Sequence, residues 1–238
     1  MTKLHSILIS DRPATASPWI QASLSSLAAT HPGMALIVHS DEALRAFIAD
    51  DFDKDVLSAY DRGDAVSKSC LGRYCLLFEH GGLYSDPNVF FMAPVVQSPD
   101  PRLHAFHNIG SSAPSVSVSL IAAPAKMNLF QICIGKFVEV ARNPDRDMRA
   151  LGSRLFGETI AYCGSRARPV ISWGDELRLP SRAGVIRYGY KSPVGAFVAV
   201  RQTQKPGWAT APRANMPGMA DSDADDIAGL LSMLDGWI

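Results

Sequence analysis

Asp86 and Asn88, separated by a single proline, are the residues of this chain whose types and spacing best suit the holding of a ligand. Asp86 offers a hard anionic oxygen and Asn88 a neutral amide oxygen. In extended backbone, side chains at i and i+2 point the same way. Both can then meet one Mg²⁺ or Mn²⁺ ion, with a ligand's diphosphate oxygens in its remaining positions. Arg73 lies three positions after Cys70 and so shares a helical face with it. A guanidinium aimed at the same mouth suits a phosphate or a sugar hydroxyl. Asp-Pro-Asn is also an ordinary turn tripeptide, in which Asp and Asn bond their own backbone. On spacing alone both readings stand.

The elements that must position these residues are legible around them. From Ala65 to His80 apolar residues recur at helical spacing, with Val66, Cys70, Tyr74 and Leu77 as the stripe and Leu71, Cys75 and Phe78 beside it. Asp64 is placed to cap the amino end, and Gly81-Gly82 to supply the left-handed turn that stops the helix. Leu83-Tyr84 then makes one step of strand, and Pro87 keeps Ser85-Asp86 out of helical geometry. This puts Asp86 and Asn88, exposed, at the tip of a strand, where α/β proteins place their chemistry.

The order S-x-x-x-R-Y-x-x-L-x-x-x-G-G-x-Y-x-D-x-(D/N) resembles the sugar transferases of glycosyltransferase family 32. These DXD enzymes include capsular-polysaccharide and initiating mannosyltransferases and relatives among glucosylating toxins. Ser69, Arg73, Tyr74, Leu77, Gly81, Gly82, Tyr84 and Asp86 fall on the pattern in unbroken register. The resemblance implies a GT-A fold with a mixed central sheet flanked by helices. It also implies a UDP- or GDP-sugar donor held through Mn²⁺ or Mg²⁺, retention at the anomeric carbon, and a glycan or lipid-linked acceptor, as in polysaccharide biosynthesis. Carried over residue by residue, it makes Asp86 and Arg73 the catalytic pair and Asp86 and Asn88 the metal ligands. Leu8, Cys70, Arg73, Gly81, Gly82, Tyr84, Asp86, Asn88 and Trp208 become the donor-binding set. Cys70 stands where the family usually has Asp, as does Asn88. A thiol and an amide in place of two carboxylates weaken a cation site, which opens a second reading: a catalytically degenerate nucleotide-sugar-binding or regulatory protein of the same fold.

Composition bounds the domain and excludes some classes. The 238 residues suit one α/β domain, in which the resemblance implies a nucleotide-sugar-binding half over 1–92 and an acceptor-side half over 93–238. Lysine plus arginine equals aspartate plus glutamate at 23 each, so no nucleic-acid footprint is present. No apolar run approaches the roughly 18–20 residues of a membrane span. With no signal-peptide pattern and four unpaired-looking cysteines, the expected place is the cytoplasm, including its membrane face.

Along the chain, strands are expected over 4–10 and 34–39 and helices over 17–29 and 40–48, a β-α-β-α opening. Leu8 takes the place of the family's usual Trp in the first strand. The acidic group Asp50, Asp51, Asp53 and Asp55 reads as a solvated face. Further strands are expected over 89–92, 103–107, 115–123, 170–173 and 195–200, the Ser/Val alternation of 115–119 suggesting one wet face. His104 and His107, three apart in a strand, should face opposite sides. Helices are expected over 127–140, 148–163 and 221–238, and the resemblance implies Lys205 to Trp208 as a segment closing over a donor.

Overall fold

The computed structural model describes residues 3–9, 18–95, 102–109, 115–143, 151–164, 171–179 and 185–204. Trp208, the 205–208 segment and the helix expected over 221–238 lie outside the described residues.

Within them the order is β1 (Lys3–Ile7), α1 (Pro18–Thr30), β2 (Ala35–His39), α2 (Asp41–Asp51), α3 (Lys54–Arg62), α4 (Ala65–His80), β3 (Gly82–Ser85), β4 (Val89–Phe91), β5 (Leu103–Asn108), β6 (Leu120–Ala123), α5 (Asn128–Ala141), α6 (Ser153–Gly164), β7 (Ile171–Leu179), β8 (Val185–Lys191) and β9 (Phe197–Gln204). The strands join in one mixed sheet, β2-β1-β3-β6-β5-β7-β8-β9-β4. The β1–β2, β1–β3 and β5–β7 pairs are parallel and the others antiparallel.

That order has a geometric consequence. β3 is third and β4 ninth, yet Ser85 and Val89 are four residues apart. Six flat sheet places would span roughly 29 Å, while four extended residues reach at most about 14 Å. The sheet therefore curls, bringing β9 and β4 back beside the end of β3. The alternating residues record this. Ile7, Tyr84, Ala105, Ile121 and Ala123 pack into a core shared with α2–α6. Leu4, Leu83, Phe106, Leu120 and Ala122 face the other way, onto Leu27 of α1 and Val89, Phe91, Tyr190, Val198 and Ala199 of the returning strands.

α4 lies at the centre of the helical layer. Asp64 accepts from the Ser67 N–H at 2.8 Å, and the Gly81 N–H bonds the Leu77 carbonyl. Its residues 70–77 are all buried, whereas Val66, expected in the apolar stripe, is exposed on the first turn. Gly81 and Gly82 have φ of 60° and 101°, values favouring glycine. A Cβ at Gly81 would stand 2.4 Å from the Ala125 nitrogen, and one at Gly82 2.4 Å from the Lys3 carbonyl oxygen. The room made by the two glycines is thus filled by neighbouring backbone, and the paired turn delivers β3 against β1.

The acidic run behaves as a helix boundary. Asp53 caps α3 by accepting from the Asp55 and Val56 N–H groups, and Asp55 pairs with Arg142, the residue that follows α5. His104 is buried, while His107 is exposed and stacks on Trp173 at 3.9 Å between ring centres. At the β2 edge, His5 and His39 approach to 3.1 Å between Nδ1 and Nε2. His5 Nε2 meets the Gly81 carbonyl, and His80 stacks on the His5 ring. No helix among the described residues is long and apolar enough to cross a membrane.

Candidate functional site

Parallel pairing of β1 and β3 in the register His5↔Tyr84 brings Leu8 and Asp86 out at the same end of the sheet. Leu8 is half-buried and donates its N–H to the His39 carbonyl. One oxygen of Asp86, Oδ1, accepts from the Tyr84 hydroxyl at 2.8 Å and from Arg73 Nη2 at 3.0 Å. Arg73 also donates to the Tyr84 oxygen at 3.2 Å, and its guanidinium lies 4.5 Å from the centre of the Tyr84 ring.

These groups are stacked in depth. Asp86 keeps 24% of its side-chain surface exposed, Arg73 only 4%. Cys70 is buried as well, its sulfur 3.8 Å from Arg73 Nη1. Arg73 and Cys70, expected at the mouth of the site, lie beneath the carboxylate instead, because helix positions 70–77 are enclosed on every side by sheet and helices.

The structure adds residues from far along the chain. β4 pairs with β9 in the register Val89↔Arg201, so the curl sets Arg201 opposite the Asp86 turn. The Ser119 carbonyl accepts the Asp86 N–H at 2.8 Å, and the Ser119 hydroxyl accepts from Arg201 Nη1. Arg201 Nη2 reaches Glu176 Oε1 at 3.0 Å, where the Tyr190 and Ser117 hydroxyls also donate. Ser117 and Ser119 are 2% exposed. The strand expected over 115–123 is thus shorter, and its serines line this buried polar chain rather than a wet face. Nothing in the local sequence marks Arg201 or Glu176 as partners of Asp86.

The electrostatics follow. Burial by itself would raise the Asp86 carboxyl. The guanidinium groups of Arg73 and Arg201, with hydrogen bonds from Ser119 and Tyr84, outweigh it and hold the group below the ordinary aspartate value. Burial pushes the Cys70 thiol up, so it is neutral. Burial opposes the charge on Arg73, but Tyr84 and Asp86 hold it protonated.

The arrangement can be tested against the expected ion. Residues 86–88 are not extended: the Val89 N–H donates to the Asp86 carbonyl at 3.2 Å, closing a β-turn with Pro87 in its second position. The shared-face argument for Asp86 and Asn88 depends on extended backbone and does not hold here. The Asn88 carbonyl accepts from Trp19 Nε1 and the Gln202 N–H, and its side-chain oxygen is buried without a hydrogen-bond partner. That oxygen alone would welcome a cation. Asp86, however, already serves two guanidinium groups, and a dication there would meet like charge in a half-buried setting. Among the described residues no three His, Cys, Asp or Glu side chains gather closely enough to hold a metal ion. Among the described residues, the side chains do not make up an Mn²⁺ or Mg²⁺ site without a ligand's own oxygens.

No family model and no curated protein matches the sequence. Among solved structures the chain is similar to the PaToxG glycosyltransferase, with a TM-score of 0.53 over 68% of each chain and 12% identity. The two chains share a fold. At this identity the likeness speaks for the architecture, a mixed sheet with helices on its faces, and the chemistry has to be argued from the residues of this chain.

Proposed function

We propose that this chain binds a nucleotide-sugar, UDP- or GDP-linked, at the Asp86 end of the sheet and transfers the sugar to a glycan or lipid-linked acceptor. The observation that carries the reading is the Asp86 carboxylate, seated on Tyr84 and Arg73 at the end of β3. It occupies the register in which the sequence resembles family 32, on a fold shared with a glycosyltransferase.

Each residue has a task within that reading. Asp86, anionic and partly exposed, accepts hydroxyl hydrogens of the donor's ribose or sugar with the lone pairs that Tyr84 and Arg73 leave open. Arg73 and Tyr84 are positioning residues, fixing the carboxylate from below. In a retaining transfer, the acceptor oxygen bonds to the anomeric carbon as the bond to the diphosphate oxygen breaks. The electron pair stays on the diphosphate, which takes the acceptor proton on the same face. No protein base is required for that step, but the developing charge on the diphosphate needs cationic neighbours.

A second reading, donor binding without turnover, is favoured by the buried neutral thiol of Cys70 and the amide of Asn88 in places where the family carries acids. Calorimetric titration with UDP- and GDP-sugars, with EDTA and with Mn²⁺, tests both readings when combined with an assay for released UDP or GDP. Binding with slow nucleotide release supports the transferase. Binding without release supports the second reading, and no binding in either condition rejects both.

A further inference from the structure

We infer that Arg201 supplies the guanidinium that meets the ligand's diphosphate, the place the sequence assigns to Arg73; this rests on the nucleotide-sugar reading. Two observations carry it. The first is accessibility. Arg73 is 4% exposed and covered by Tyr84 and Asp86, whereas the Arg201 side chain retains 21% exposure beside the same carboxylate. A phosphate at the Asp86 turn meets the exposed edge of Arg201, whereas Arg73 lies beneath Tyr84 and Asp86.

The second is unspent donor capacity in a fixed side chain. A guanidinium carries five N–H donors. For Arg201, Ser119 engages one N–H of Nη1 and Glu176 one of Nη2, leaving the second N–H on each; Nε is buried without a hydrogen-bond partner. The ring of Tyr188 lies 4.5 Å beneath the guanidinium. Ser119, Glu176 and Tyr188 therefore hold the plane of the group while leaving N–H donors for an incoming oxygen, the pre-organisation that phosphate recognition favours. Glu176, buried and shared among Arg201, Tyr190 and Ser117, orients the cation from behind. With this geometry, charge neutralisation at the diphosphate comes from an arginine of β9 instead of an ion held by Asp86 and Asn88.

The test separates diphosphate recognition from nucleoside recognition. Uridine, UDP, guanosine and GDP are titrated into the full chain in EDTA, with wild type, Arg201→Lys and the double variant Arg201→Gln/Glu176→Gln. The double change removes both charges of the buried pair, so neither is left unpartnered and the fold is kept, which circular dichroism verifies. Wild type should bind the preferred diphosphate more tightly than its nucleoside. The double variant should lose about 10- to 100-fold in diphosphate affinity, as for a hydrogen bond to a charged group, with nucleoside affinity unchanged. Arg201→Lys should fall between. A diphosphate-to-nucleoside ratio unchanged in the folded double variant overturns the inference and leaves the donor-binding reading intact. Diphosphate binding that requires Mn²⁺ overturns it as well. Absence of binding to every probe in both EDTA and Mn²⁺ overturns it together with the proposed function.

Discussion

Arg73 lies under Asp86, not beside it: the two are joined at 3.0 Å, yet the guanidinium is almost wholly buried while the carboxylate keeps a quarter of its surface in water. Asp86 is thus both the site's accessible anion and the counter-charge of a buried cation.

This dual role changes what truncating Asp86 should do. From the sequence the residue is expected at an exposed tip, where Asp→Ala would leave stability untouched. In the structure Asp86→Ala leaves Arg73 buried and without its carboxylate. Breaking a buried pair this way costs about 3–5 kcal/mol, reduced here toward about 2–3 kcal/mol by the partial exposure of Asp86 and by the remaining Tyr84 contact. Urea denaturation measures it, and a loss below about 0.5 kcal/mol would mean that the ion pair is not what holds Arg73 in place.

The histidines at the β2 edge predict an acid-sensitive fold. Burial, together with His39, His80 and Lys3, lowers His5 to about 3, and burial with His80 and Lys3 lowers His39 to about 4. Both stay neutral in the folded state while the unfolded chain takes up protons near 6.5. The unfolded state therefore binds more protons between about pH 6.5 and pH 3–4, so the stability is present above 6.5 and drains away as pH falls through that window. The expected slope below pH 6 is about 1–2 kcal/mol per pH unit. Denaturation midpoints at pH 7, 6 and 5 read it, and His39→Gln should flatten the slope.

Gly82→Ala should destabilise strongly. The residue sits at φ 101° with a Cβ position 2.4 Å from the Lys3 carbonyl oxygen, a backbone atom that cannot swing aside. A cost of at least about 2 kcal/mol is expected from the left-handed geometry and the collision, seen as a lowered thermal midpoint. An unchanged midpoint would show that β1 and β3 are not so closely joined.

Asn88→Asp addresses the missing second acid. The Asn88 side-chain oxygen is buried and unpartnered, and a carboxylate there would place a second anion near the Asp86 turn. Because residues 86 and 88 stand in a β-turn and not in extended backbone, Mn²⁺ affinity, followed by the electron paramagnetic resonance of free Mn²⁺, should stay within about twofold of wild type. A gain of about tenfold or more would mean that residues 86 and 88 address a common point once both are acidic.

How much of this was readable from the chain follows from distance along it. The α4 helix, its Asp64 cap, the double glycine and the β3 step are fixed by neighbours within a few residues, and periodicity exposes them. The depth of Arg73 was not readable, because helical spacing says which residues share a face but not that residues 70–77 of α4 are all covered. α3 escaped notice because its buried Val56, Ala59 and Tyr60 sit among charges, and β8 because Arg187 and Gly189 interrupt its apolar alternation. Ser119 reaches Asp86 through the antiparallel β3–β6 pairing, and Arg201, with Glu176 behind it, only through the curl that returns β9 to the end of β3. No local pattern encodes that pairing.

The most direct measurement is a calorimetric comparison of wild type and Asp86→Asn with UDP- and GDP-sugars, run on samples shown to be folded at the titration temperature. A carboxylate that receives donor hydroxyls predicts measurable binding of one of the two donor classes by wild type and a loss of about tenfold or more in the variant. Equal affinity in the folded variant, or no binding by wild type with or without Mn²⁺, would contradict a donor site at Asp86.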